Sequence, residues 1–156
     1  MSTARTPWRR GRRLGVDVGE VRVGVAISDP DGVLATPLTT ILRSHRPDKR
    51  GITSDMSELA RLVEAHEIVE VVVGLPTTLA GTEGPAAVAA RDYARRLAQV
   101  VAPVPVTLAD ERMSTVLATR KLSGRGVKGR RRRELVDQAA AVEILQGWLD
   151  AQRRRS

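Results

Sequence analysis

The chain has 156 residues, no cysteine, 28% charged residues and a formal net charge of +8. Such a length suits one domain that buries about two-thirds of its unfolded surface, and the lack of cysteine excludes disulfides, zinc–thiolate sites and thiol nucleophiles while fitting a reducing, cytoplasmic setting. No apolar run approaches the ~18 residues of a membrane helix, and the basic opening MSTARTPWRRGRR lacks the apolar stretch of a secretory signal.

The charge is concentrated. Residues 1–13 carry five Arg, residues 123–133 five Arg and one Lys, and residues 153–155 three Arg, all without an acid. An acidic body with basic appendages predicts a polyanionic partner gripped from the periphery, and nucleic acid is the obvious class. Only Trp8, Tyr93 and Trp148 are aromatic, so backbone and shape recognition is expected rather than base stacking. We read residues 1–12 as a flexible basic tail, 13–151 as a single domain and 152–156 as a second basic tail.

In chain order, RLGVDVGEVRVGVAIS alternates with period 2 and predicts two strands. Leu14, Val16 and Val18 point to one face; Gly15, Asp17 and Gly19 point to the other. Asp17 thus rises from a floor of glycines in an otherwise apolar strand, a notch suited to a metal ion or a phosphate. The competing reading pairs Asp17 with Arg22 across the hairpin. Asp31-Gly32 turns into a third strand near residues 33–39, completing an antiparallel meander.

Asp55 and Glu58 have capping-box spacing for a helix ending near His66. VEVVVGLP, residues 69–76, is continuously apolar and β-branched, as in a parallel strand covered on both faces. Pro85 opens a second helix, residues 105–109 form a short strand, Ser114 caps a brief helix to about Leu122, and a final helix runs from about Arg133 to Ala151. The order β-β-β-α-β-α-β-α-α implies an α/β fold with a mixed sheet and helices on both faces.

Three acids fall where this layout brings segments together: Asp17 on the first strand, Glu111 with Asp110 directly after the last strand, and Asp137 on the inward stripe of the final helix. Ala140 and Ala141 would let that helix sit close to the sheet. Ligands in such sheets gather at the carboxyl ends of strands, and three carboxylates form a hard, all-oxygen set that fits Mg2+ or Mn2+. Singly, each has a plainer use: Glu111 can pair with Arg112 or Arg120, and Asp137 suits a helix N-terminus. Clustered, they repel unless a cation lies between them. Gly124, Gly126 and Gly129 fit G-x-G-x-x-G but follow a helix, so no dinucleotide site is expected. His45 and His66 lack metal-ligand spacing.

DVGEVRVGVAISDP, VVVGLP followed by GTEG, LADERMST and VDQAAAVEILQGWL resemble the four ordered blocks of the YqgF/RuvX family, the RuvC-like Holliday junction resolvases also described as pre-16S rRNA nucleases. The likeness covers residues 13–151. It implies a ribonuclease H-like fold, here a five-stranded mixed sheet with helices on both faces, and an acidic active-site set at Asp17, Glu111 and Asp137. Val21 departs from the pattern, where relatives commonly carry Lys before Arg22.

The function expected is a divalent-metal-dependent nuclease, with Mg2+ or Mn2+ ions about 4 Å apart supporting in-line hydrolysis of structured nucleic acid. Arg22, Arg112, Arg125, Lys128, Arg130, Arg131, Arg132 and Arg133 would meet phosphates. The resemblance favours 5′-end processing of 16S rRNA precursor, with resolution of branched DNA as alternative. A non-catalytic rRNA-binding assembly factor is the alternative of another class. A third idea, an ATPase suggested by the D-x-G opening, lacks a second lobe to enclose the nucleotide. End trimming needs a monomer; a symmetric junction wants a homodimer.

Overall fold

The computed structural model describes residues 8–77, 81–112 and 129–155, apart from the side chains of Arg112 and Arg130. The expected helix at Ser114–Leu122 lies outside the described residues. The elements are β1 (Arg13–Val18), β2 (Arg22–Ser28), β3 (Ala35–Leu42), α1 (Ser54–Ala65), β4 (Glu70–Thr77), α2 (Pro85–Val101), β5 (Val106–Arg112) and α3 (Arg130–Arg155). The strands form one mixed sheet in the order β3-β2-β1-β4-β5. The first three make the expected antiparallel meander, and β4 and β5 add in parallel beside β1.

Alternation along the strands divides the core. Leu14, Val16, Val23, Val25, Val71 and Val73 pack under α1 and α2, against Met56, Leu59, Leu62, Tyr93 and Leu97. On the other face Val72 and Ala26 meet Ala141, Ile144, Leu145 and Leu149 of α3. β4 is covered on both sides, which its unbroken run of valines requires. Ala140 and Ala141 are fully buried, and the strand residues beneath α3 are small as well. A β-carbon on Gly15 would stand 2.6 Å from Leu145 Cβ, so the helix backbone rides directly on the sheet.

Several boundaries differ from expectation for local reasons. β3 starts at Ala35, because the Asp29 carboxylate accepts hydrogen bonds from the N–H groups of Asp31, Val33 and Leu34 and extends the turn. Thr53, not Asp55, is the N-cap of α1. Asp55 lies within the first turn, buried, accepting from Tyr93 Oη at 2.7 Å and from the Ser44 N–H at 3.3 Å. β5 runs on through Glu111, which the sequence pattern sets after the strand.

The two ends meet. Trp8 and Trp148 have ring centroids 6.2 Å apart, and the Arg13 guanidinium lies 3.8 Å from the Trp8 ring. α3 continues through Arg153, whose Nη1 donates to the Gly32 and Val33 carbonyls at 2.9 and 3.2 Å. Trp8 and Arg153 belong to the segments that carry the basic residues at either end, and a ring contact and carbonyl partners hold them here.

Candidate active site

Asp17 is 7% exposed and belongs to the face covered by α3, like Gly15 two residues before it. Its antiparallel partner is Gly24 on β2, not Arg22. On the other side Val16 is level with Val73, so Asp17 is level with Gly74, which in turn pairs with Ala109. Across four strands the row reads Gly24, Asp17, Gly74, Ala109: one carboxylate among residues with at most a methyl group.

The other two acids stand over this row. Glu111 leans from β5, its Oε2 3.0 Å from the point a β-carbon on Gly74 would occupy. Asp137 comes from α3, its Cβ 3.3 Å from the corresponding point at Gly24. Asp110 alternates to the opposite face and accepts from Thr77 Oγ1 at 3.0 Å, so Glu111, and not Asp110, shares the face of Asp17. Residues separated by 26 and 94 positions of sequence are thereby brought to one side of the sheet, at the carboxyl ends of its parallel strands.

Carboxylates on one face of the sheet, over a row whose glycines admit the Asp137 main chain and the Glu111 carboxylate where side chains would block them, are the donors a hard divalent cation takes. Among the described residues, no three acids stand close enough to enclose an ion as they are. Asp137 is engaged elsewhere: Arg22 Nε donates to its Oδ2 at 2.6 Å.

The expected phosphate-binding residues divide. Arg22 is at the acid site, bound to Asp137. Arg131, Arg132 and Arg133 are exposed on the opening of α3, within two turns of Asp137. Arg125 and Lys128 lie outside the described residues, as do the side chains of Arg112 and Arg130.

The supports around the site were not legible as such. Arg43 donates from Nη1 to the Gly19 carbonyl at 3.0 Å, and its own N–H reaches the Val21 carbonyl at 2.8 Å, so it fixes the turn after Asp17. Its guanidinium lies 5.2 Å from the ring of Tyr93, the partner of Asp55. Burial works against the Asp55 charge, yet the Thr53 side chain, and after it Tyr93 and Ser44, hold its carboxyl below the usual range; burial and the bond to the Asp55 carboxylate push the Tyr93 hydroxyl up. Gln138 Nε2 donates to Thr40 Oγ1 at 3.0 Å, and Gln146 Oε1 accepts from the Ala35 N–H at 2.9 Å, tying α3 to β3. Only polar residues on an inward helix stripe hinted at these ties.

A family model described as Holliday junction resolvase, RuvX, matches residues 11–151. The chain belongs to the RuvX family. Relatives named "Putative pre-16S rRNA nuclease" include one from Mycobacterium sp. (strain KMS), 56% identical over 144 residues, covering 92% of this chain and 82% of the relative. One from Nocardia farcinica is 52% identical over 141 residues (90% and 78%), and one from Streptomyces avermitilis 53% over 145 residues (93% and 89%). Among solved structures, T. thermophilus RuvC in complex with a Holliday junction substrate matches with a TM-score of 0.52 and 16% identity, covering 92% of this RuvX chain and 96% of that chain. The fold of this family member is therefore the ribonuclease H-like one that the four blocks implied.

Proposed function

We propose that the chain is a divalent-metal-dependent nuclease that hydrolyses phosphodiester bonds in structured RNA, trimming the 5′ end of 16S rRNA precursor in the bacterial cytoplasm. The observation that carries this reading is the row Gly24–Asp17–Gly74 with Glu111 and Asp137 above it: three carboxylates on the α3-covered face of a ribonuclease H-like sheet. The names of relatives more than half identical supply the substrate class.

Asp17, Glu111 and Asp137 would hold Mg2+ or Mn2+, which when bound supplies Lewis-acid stabilisation of the phosphoryl oxygens and a more acidic water. Gly24 lets α3 sit close enough to hold the Asp137 main chain against β2, and Gly74 leaves space for the Glu111 carboxylate over the sheet. Arg131, Arg132 and Arg133 would draw the phosphate backbone toward the site, a contribution that weakens steeply with salt. Residues 13–151 form the catalytic unit on this reading.

Resolution of branched DNA is the second reading, favoured by the description of the matching family model. Incubating the protein in Mg2+ or Mn2+ with a precursor 16S 5′-leader RNA and, separately, a four-way DNA junction distinguishes the two. We expect cleavage of the RNA and its loss in Asp17→Asn. Cleavage of the junction alone would transfer the function to DNA. Binding unaffected by EDTA with no cleavage of either would leave a non-catalytic assembly factor.

A further inference from the structure

Arg22 is the first residue of β2, paired through its backbone with Leu42. Its Nε donates to Asp137 Oδ2 at 2.6 Å across 115 positions of sequence, and the two side chains are only 24% and 12% exposed. A short, charge-assisted bond between groups largely withdrawn from water is stronger than the exposed ion pairs elsewhere on the surface. It also satisfies Asp137 in the way a metal ion would, by placing positive charge against the carboxylate. With the pair made, no three described acids stand close enough to enclose an ion.

We propose that Arg22 is the resident counter-cation of the acid site: it holds Asp137 until a divalent cation takes over the carboxylate, and the released guanidinium then meets substrate phosphate. This rests on the reading of Asp17, Glu111 and Asp137 as the cation-binding set. Arg22 and the cation thus compete for one carboxylate. A guanidinium presents a planar fork that matches phosphate as well as carboxylate, so phosphate draws Arg22 off Asp137 in the same direction as the cation does. Cation and nucleic acid therefore favour each other's binding, and by linkage the effect is equal in both directions.

The test is a titration of the full chain with Mn2+ alone, following free Mn2+ by electron paramagnetic resonance in about 0.1 M and about 1 M KCl. Wild type is compared with R22Q, D17N and D137N, each checked for cooperative thermal unfolding. We expect R22Q to bind Mn2+ about tenfold more tightly than wild type at both salt concentrations, because the competitor is gone. Unchanged or weaker binding by R22Q overturns the proposal. So does a gain that vanishes at high salt, where charges beyond ~3 Å are screened and only direct contact survives. Should R22Q not fold, R22M takes its place, keeping bulk without the charge; tighter binding than wild type supports the competition and unchanged or weaker binding overturns it. D17N and D137N separate this from the underlying reading: if both bind Mn2+ as wild type does, the acid set itself is wrong, whatever R22Q shows.

Discussion

The backbone of Asp137 rests on Gly24: a β-carbon at that glycine would stand 2.6 Å from the Asp137 carbonyl carbon. Neither side of that contact can rotate away, since main chain meets main chain. We expect Gly24→Ala to lift α3 from the sheet, lowering stability by about 3 kcal/mol and cleavage by about 100-fold as Asp137 is displaced. Urea unfolding beside the cleavage assay checks both; wild-type values would show that the helix is not seated there.

Gly147 is the contrasting case. It lies within α3 with nothing inside 4 Å of a prospective β-carbon. Gly147→Ala should therefore stabilise the fold by about 1 kcal/mol through helix propensity alone, seen as a rise in the urea midpoint.

The buried bond from Tyr93 to Asp55 joins α2 to α1. We expect Tyr93→Phe to cost about 2 kcal/mol at neutral pH. The folded Asp55 carboxyl releases its proton more readily than the unfolded one, so this stabilisation is fully present above the ordinary carboxylate range near pH ~4. It is lost as pH falls through the lower folded value. The stability difference between wild type and variant, followed by denaturation from neutral to acidic pH, should shrink on acidification; a constant difference would mean that the phenol is not bonded to an ionised carboxylate.

Arg131, Arg132 and Arg133 are exposed at the end of α3 that carries Asp137. Replacing all three with Gln should weaken RNA binding in low salt and make the slope of log affinity against log salt shallower by about 2, since each lost phosphate contact removes ~0.7 for single strands. An unchanged slope in filter binding would place the phosphate contacts elsewhere.

The sheet was legible because β1 and β2 alternate with period 2 and β4 is an uninterrupted β-branched run; both patterns follow from which faces are covered. Asp17 was legible because an acid in an apolar strand is costly without compensation. Glu111 and Asp137 were placed by their positions near a strand end and on a helix stripe. The pairing of Arg22 with Asp137 was not, because a hairpin sequence offers Asp17 as the nearer partner and only α3 supplies the rival carboxylate. The role of Asp55 was misread for the same reason: its partner Tyr93 is 38 residues away, and local spacing shows only a capping pattern.

The central claim is that Asp17, Glu111 and Asp137 share a hard cation above the Gly24–Gly74 row. Anomalous diffraction from a crystal soaked in Mn2+ measures this directly. We expect a manganese peak over that row, coordinated by all three carboxylates, with Asp137 parted from Arg22. A site that stays empty of manganese while Arg22 still holds Asp137, or a peak bound by other residues, would contradict it.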